Sequence, residues 1–144
     1  MSRYTREQLF YGMALLVARR STCLRLQVGS VIVHKDRVIS MGYNGSPRGL
    51  PHCTPVTCNE GGPCRATVHA EANAIAFAAR SGIAVEGATL YCTHEPCVDC
   101  AQLIINSGMA AVAFGATYRK GGSNLLHAAG LQVFGPFEGR YSDA

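Results

Sequence analysis

The first regular feature of the chain is a set of apolar side chains spaced three or four residues apart, at Leu9, Met13, Leu16 and Val17. This spacing predicts an amphipathic helix over residues 5–20. Thr5 is followed three residues later by Gln8, which is the capping-box pattern that marks the start of a helix. The chain is therefore predicted to open with a capped helix.

Beyond this helix the apolar pattern changes to short β-branched segments. Residues 28–33 read VGSVIV, and Val38-Ile39 follow a polar turn at residues 35–37, which is typical of a β-hairpin. Helical and extended patterns then alternate along the chain. The predicted helices are 69–80, 97–106 and 124–129, and the predicted strands are 88–93, 110–116 and 131–134. This alternation predicts an α/β domain around a mixed sheet.

Composition limits the size and the partners of this domain. With 144 residues, 48% of them apolar and 15% charged, the chain can form one core, and we expect a single domain over residues 1–144. The net charge of 13 − 9 = +4 is mild, and the positive residues are scattered apart from Arg19-Arg20. Such a charge suits a small anionic ligand, and no nucleic-acid partner is expected.

The chain contains seven cysteines, an odd and high number. Its first residues lack the apolar stretch of a signal peptide, and no run approaches the roughly 18 apolar residues that span a bilayer. We therefore expect a cytoplasmic protein with no membrane partner. In that compartment thiols stay reduced, so clustered cysteines are interpreted as metal ligands before disulfides.

The strongest chemical signal is His69-Ala70-Glu71 followed by Pro96-Cys97-Val98-Asp99-Cys100. One histidine and two cysteines are a ligand set of catalytic zinc, which takes three protein ligands and keeps one position open. Cys97 and Cys100 lie three residues apart on one face of a helix, so both sulfurs are able to reach one ion. The alternative is a closed structural zinc site in which Glu71 is an ordinary acid at a helix start.

Glu71 is predicted to move protons rather than to bind the metal. The H-x-E and P-C-x-x-C pair is typical of zinc-dependent nucleobase deaminases, in which the glutamate is a general acid and base. Zinc lowers the pKa of bound water toward about 7. Glu71 is then expected to take a proton from that water, to pass it to the ring nitrogen, and later to protonate the departing ammonia.

Over residues 23–133 the chain resembles the deoxycytidylate deaminase family, within the cytidine deaminase-like superfamily. The two zinc motifs identify only the superfamily. By contrast, G-Y-N-G-S-P-R-G at residues 42–49 and H-A-E-A-N-A-I at residues 69–75 are far more specific to the dCMP enzymes. Further matching segments are 23–25, 28–29, 87–91 and 96–101.

This resemblance implies both a fold and an activity. The fold is α/β, a three-layer α/β/α sandwich with a central five-stranded mixed sheet. The activity is zinc-dependent hydrolysis of dCMP to dUMP and ammonia, which supplies dUMP for thymidylate synthesis. The resemblance also implies a homo-oligomer, commonly a hexamer, and control by dCTP and dTTP, with Mg²⁺ accompanying a triphosphate effector.

The resemblance also assigns residues to the substrate. Asn44 matches the asparagine that bonds the substrate sugar in related deaminases, although it is also a plausible turn residue beside Gly45. Thr93 and His94 precede the P-C-x-x-C motif and are expected to line the pocket. Tyr118 lies where the family brackets the base, or else it caps the core.

Three basic residues are candidates for the substrate phosphate, and the sequence does not rank them: Arg25, Arg119 and Lys120. A second loop resembles the nucleotide-effector loop of the family, with Gly42, Tyr43, Asn44, Gly45 and Arg48. There the guanidinium of Arg48 is able to bind phosphate with two hydrogen bonds. The alternative is an ordinary exposed loop arginine.

Residues 42–67 have no period and are rich in glycine and proline. A structureless segment of this length in a small domain is usually functional or held by something. Four cysteines are candidates for a second, structural zinc that would hold it: Cys23, Cys53, Cys58 and Cys64. Some family members carry such a metal, and His52 is a possible substitute ligand. The alternative is four separate thiols, and Cys92 is interpreted as core.

Three alternative functions remain open at this stage. One is a dual dCMP and dCTP deaminase, since the motifs do not fix the number of phosphates. Another is a tRNA adenosine deaminase, which would need a surface that follows a phosphate backbone. From a different class, the chain could be a non-catalytic assembly module stabilised by zinc.

Overall fold

The computed structural model describes residues 2–58, 64 and 66–137, so parts of the predicted single domain and of the 42–67 segment lie outside the described residues. Helices and strands follow one another in the predicted order. They are α1 (Arg6–Ala18), β1 (Gly29–His34), β2 (Arg37–Tyr43), α2 (Ala70–Arg80), β3 (Thr89–His94), α3 (Val98–Asn106), β4 (Ala111–Ala116), α4 (Ser123–Ala128) and β5 (Gln132–Phe134). None of the helices in these ranges is long and apolar enough to cross a membrane.

The five strands form one mixed sheet in the order β2-β1-β3-β4-β5. β1 is antiparallel to both β2 and β3, whereas β3, β4 and β5 run parallel. The turn of the hairpin lies at Lys35 and Asp36, both with positive φ, as a two-residue turn requires when its twist matches the strands. The predicted hairpin and mixed sheet are confirmed.

Two hydrophobic clusters cover the two faces of the sheet. On one face α1 packs against alternating residues of the central strands, including Val31, Val33 and Tyr91. On the other face α2, α3 and α4 pack against the intervening residues, such as Ile32 and Leu90. Because side chains of a strand point to opposite faces in turn, this alternation produces the predicted three-layer α/β/α sandwich.

The predicted start of α1 is confirmed in atomic detail. The hydroxyl of Thr5 accepts the backbone N–H of Gln8 at 3.1 Å, and the Gln8 side chain accepts the N–H of Thr5 at 2.8 Å. The capping box thus satisfies two backbone donors that a helix end leaves unpaired.

The face of α1 that contacts the sheet differs from the one that the apolar spacing indicated. Leu16 is 73% exposed, and Leu9 and Met13 are also exposed, whereas the buried residues are Phe10, Tyr11, Ala14 and Ala18. The reason is close packing: a Cβ at Gly29 would collide with the backbone of α1 at Ala14 and Ala18. The small residues Ala14 and Ala18 permit this close approach, and Phe10 and Tyr11 pack in the hydrophobic cluster on the same face.

Candidate metal centre and active site

The first predicted ligand, His69, is the residue directly before α2. It occupies the N-cap position with an extended backbone, φ −65° and ψ 153°, so the helix begins one residue later than the sequence indicated. Two contacts fix this end of α2 on the sheet: Ser30 Oγ donates to the carbonyl of Ala70 at 2.9 Å, and Asn73 Nδ2 donates to the carbonyl of Tyr43 at 2.8 Å. These polar contacts, which sequence reasoning missed, determine where His69 lies.

The other two ligands lie at the start of α3. Cys97 is the N-cap, and its Sγ accepts the backbone N–H of Cys100 at 3.5 Å. Cys100 is buried in the first turn. A helix N-terminus carries partial positive charge, which favours the thiolate form that a metal requires.

The structure brings His69, Cys97 and Cys100 together. His69 Nδ1 lies 3.5 Å from Cys97 Sγ and 3.4 Å from Cys100 Sγ. Zinc–sulfur bonds of about 2.3 Å and zinc–nitrogen bonds of about 2.0 Å, at a tetrahedral angle, put nitrogen and sulfur about 3.5 Å apart. The three donors therefore fit zinc. Within residues 2–58, 64 and 66–137 they are the only group of three or more such side chains whose ligand atoms all lie within 4.8 Å.

Hydrogen bonds among the three predicted ligands also change their pKa values in a way that favours metal binding. A hydrogen bond from the Cys100 thiol lowers the pKa of Cys97 to about 4, and His69 contributes to the same effect. The pKa of Cys100 is raised in turn, because it keeps the shared proton. The pKa of His69 is raised, mainly by its hydrogen bond to Cys97. This arrangement favours the thiolate form of Cys97, which is the form that binds a metal.

Glu71 lies on the first turn of α2 and is only 4% exposed. Burial raises the pKa of its carboxyl, because a low-dielectric surrounding disfavours the charged form. A carboxyl with a raised pKa binds and releases protons more readily near neutral pH than an exposed glutamate does.

Cys92 contacts this carboxyl directly. Its thiol, on β3, donates to Glu71 Oε1 at 3.3 Å, and both side chains are buried. Burial raises the pKa of Cys92 well above its usual value, so the group remains a protonated donor. The interpretation of Cys92 as core was right about burial and missed the contact. Strand alternation puts Cys92 on the same face as Leu90, toward α2, and this is the signal that could have found it.

Asn44 holds the loop that precedes β1. Its Oδ1 accepts the N–H of Val28 at 2.9 Å and its Nδ2 donates to the carbonyl of Leu26 at 2.7 Å. The side chain is 7% exposed. Both ends of the amide are therefore used on the backbone, and the predicted contact with a substrate sugar stays a prediction.

Thr93 and His94 end β3 on the α1 side of the sheet. Thr93 Oγ1 accepts the N–H of Gly29 at 3.1 Å and lies 2.8 Å from His94 Nδ1. Both residues line a cavity of about 260 Å³ together with Arg19 and Gln27. This cavity includes none of His69, Glu71 and Cys97, so the expectation that Thr93 and His94 line the substrate pocket stays a prediction.

The other predicted substrate residues lie on two loops. Arg25 is exposed on the loop between α1 and β1, and Tyr118, Arg119 and Lys120 are exposed on the loop between β4 and α4. Gly121, the next residue of that second loop, forms an isolated backbone bridge with the predicted metal ligand Cys97. The loop of residues 117–122 thus lies beside the metal centre.

Most of the predicted effector loop faces a separate and larger cavity of about 1100 Å³. Gly42, Tyr43, Gly45 and Arg48 line it, whereas Asn44 points to residues 26–28 instead. The side chains of Arg20, His52 and Arg80 also line this cavity. Its walls come from α1, β2, α2 and the loop that follows β2.

The four cysteines proposed for a second metal are not gathered in this structure. Among the described residues, no three of the ligand atoms of Cys23, Cys53, Cys58 and Cys64 lie within 4.8 Å of one another. Cys53 and Cys58 belong to a segment without helix or strand, and residues 59–63 and 65 lie outside the described part of the chain. The second site stays a prediction.

Comparison with known proteins places these features in a family. Residues 4–116 match the family model described as the cytidine and deoxycytidylate deaminase zinc-binding region. The chain is 34% identical over 163 residues to the deoxycytidylate deaminase of Enterobacteria phage T4, with 84% of each chain covered. It is 41% identical over 120 residues to ComE operon protein 2 of Bacillus subtilis, covering 83% of this chain and 64% of that protein.

A solved structure agrees with the fold. The crystal structure of dCMP deaminase from the cyanophage S-TIM5 in complex with dCMP and dUMP superimposes with a TM-score of 0.83. The two chains are 30% identical, and the match covers 92% of this chain and 98% of the phage chain.

Proposed function

The chain belongs to the cytidine and deoxycytidylate deaminase family, and on this basis we propose that it hydrolyses dCMP to dUMP and ammonia. One observation carries the proposal: a donor set that fits zinc lies beside a buried carboxyl, with Glu71 two residues from His69. A purely structural zinc site would not need a buried acid with a raised pKa beside its ligands.

His69, Cys97 and Cys100 hold the metal, and the other groups act on substrate and protons. When bound, zinc supplies a water that ionises near neutral pH. Glu71 accepts the proton of the attacking water and delivers it to the ring nitrogen beside the target carbon. It then takes the remaining proton of the hydroxyl that has added to the carbon and passes it to the amino group, so that the carbonyl forms as the carbon–nitrogen bond breaks and ammonia leaves. The thiol of Cys92 donates to Oε1 of the carboxylate and so helps to orient it.

A monophosphate substrate would give the exposed positive side chains of two loops a role. Arg25, Arg119 and Lys120 are exposed on the two loops described above. Charge-assisted hydrogen bonds from such groups hold a phosphate but gain nothing from a nucleoside. We propose that at least one of them binds the 5′-phosphate, with Asn44 near the sugar and Tyr118 near the base.

The larger cavity supports control by nucleotides. Arg20, Arg48 and Arg80 line it together with apolar side chains such as Met41 and Phe77, a combination that suits a charged triphosphate and a base. We propose that dCTP and dTTP bind here, with Mg²⁺ on the triphosphate. The effect on activity is expected to require Arg48.

Further proposals concern assembly, location and a second metal. Leu16, Met41 and Phe77 are each more than half exposed, which supports a homo-oligomer, with a hexamer favoured. A cytoplasmic location and a supply of dUMP for thymidylate synthesis remain proposals. A second zinc on Cys23, Cys53, Cys58 and Cys64 would require the described part of that segment to rearrange as the ion binds.

The test is ammonia release from four substrates: dCMP, deoxycytidine, dCTP and a tRNA anticodon stem-loop, each with and without dCTP and dTTP as effectors. The proposal predicts that dCMP is by far the best substrate. Comparable rates with dCTP would indicate the dual-substrate enzyme, and activity on the RNA alone would indicate a tRNA deaminase. Bound zinc without any deamination would indicate an assembly module.

A further inference from the structure

The carboxylate of Glu95 joins the start of the metal-binding helix to the loop after β4. Its Oε1 accepts the backbone N–H of Tyr118 at 3.2 Å. Its Oε2 accepts the N–H of Ser123 at 3.2 Å and the hydroxyl of Ser123 at 2.6 Å. Glu95 thus binds the loop of residues 117–122 near both of its ends.

The backbone strengthens the same connection. Glu95 N–H donates to the carbonyl of Ala116 at 2.8 Å, and Gly122 N–H donates to the carbonyl of Pro96 at 2.7 Å. Gly121 lies directly over the carboxylate, because a Cβ at this position would collide with the oxygens of Glu95. The glycine is needed here for close approach, and the loop cannot shift without breaking these contacts.

The loop therefore has a fixed backbone and exposed side chains. Tyr118, Arg119 and Lys120 all point into solvent, while their chain is held beside the metal ligand Cys97. A preordered loop binds a ligand without the entropic cost of ordering its backbone at the moment of binding. Two cationic side chains on such a loop form a ready site for an anion.

We propose that Glu95 is a positioning residue that fixes the loop of residues 117–122 and thereby sets the preference for the 5′-phosphate substrate over the nucleoside. The inference rests on the proposed function. Glu95 does not touch the reacting atoms, because both of its oxygens are used on the loop. Its effect reaches the substrate through Arg119 and Lys120.

A carboxylate is required because all three of its partners are donors. In Glu95→Gln the amide oxygen still accepts a hydrogen bond from one end of the loop. The NH₂ group is itself a donor, so it does not accept the hydrogen bond from the N–H at the other end. One end is then released. We expect the ratio of kcat/KM for dCMP to that for deoxycytidine to fall about tenfold, mainly through the KM for dCMP, which is the factor for one lost charge-assisted contact.

The matched control is Glu86→Gln, which removes the same charge from an exposed residue at the opposite end of β3. This variant should keep the wild-type ratio. Gly121→Ala is a second route to the same loop, since the added Cβ displaces the carboxylate, and it should lower the ratio as Glu95→Gln does. Gly12→Ala, where nothing lies within 4 Å of the added Cβ, controls for the substitution itself.

The outcomes separate this inference from the proposed function. If wild-type protein does not deaminate dCMP, the proposed function is wrong. If it does, and the substrate ratio is unchanged in both Glu95→Gln and Gly121→Ala while zinc is retained, the role of Glu95 in substrate preference is wrong. Equal losses with dCMP and deoxycytidine, or loss of zinc, would show that Glu95 supports the metal helix rather than the phosphate site.

Discussion

The cysteines of this chain lie in two contrasting regions. Cys97 and Cys100 lie at the start of α3, where helix geometry fixes their directions and His69 approaches from α2. Cys53 and Cys58 lie in a segment with no helix or strand, and the described part of the chain brings them into no three-ligand group. Cysteines close in sequence therefore indicate a metal site reliably only where regular elements fix the direction of the sulfurs.

Substitution of a sulfur in the ordered region should have the largest effect. In Cys97→Ser a hydroxyl replaces the soft thiolate, so zinc should be lost and dCMP deamination should fall below about a thousandth of wild type. Zinc content by mass spectrometry and the rate of ammonia release measure both effects.

The neighbouring Val98→Ser substitution is the control, since Val98 is exposed and is not a ligand. It should retain zinc and most of the activity. If Cys97→Ser keeps full zinc occupancy, the ligand set is wrong and the contrast between the two regions disappears.

Cys92 is the third cysteine near the site. It donates a hydrogen bond to the carboxyl of Glu71 and does not belong to the group of predicted metal ligands, which makes it a useful comparison. Cys92→Val removes the thiol donor at similar volume and should lower kcat about threefold, with KM and zinc content unchanged. Cys92→Ser keeps a donor and should stay closer to wild type. Equal kcat in the valine variant and wild type would leave Cys92 with a packing role alone.

The smallest effect is expected in the irregular segment. If a second zinc is bound there, purified protein should hold two ions per chain, and Cys53→Ala should lose one while the catalytic ion remains. The loosened segment adjoins the predicted effector loop, so KM and nucleotide control should change by about twofold, with kcat preserved. One zinc per chain in fully active wild-type protein would rule out this second site.

The contrast between locally determined and irregular regions also explains which features could be predicted from the sequence. Local signals were sufficient for the capping box at Thr5 and Gln8, for the hairpin turn, and for the order of helices and strands. The grouping of Cys97 and Cys100 was also predicted, because the P-C-x-x-C spacing places both sulfurs on a single helix turn. Apart from His69, which lies 28 positions before Cys97 and was predicted from the paired H-x-E and P-C-x-x-C motifs, these features depend on residues within a few positions of each other.

Features that depend on contacts between distant elements were missed. The contacts of Cys92 with Glu71 and of Glu95 with Ser123 join residues 21 and 28 positions apart. The buried face of α1 depends on the approach of Gly29, which no spacing within the helix reveals. Such contacts are set by how the layers pack, and periodicity within one element carries no information about them.

The central claim is that Glu71 moves protons at a site whose metal is held by other residues. Its most direct test is zinc content measured together with dCMP turnover in Glu71→Gln. The variant keeps all three ligands and should bind as much zinc as wild type, while kcat falls by about 10²–10⁴-fold, as expected when a general acid and base is lost. Wild-type turnover in a zinc-loaded Glu71→Gln protein would contradict the claim.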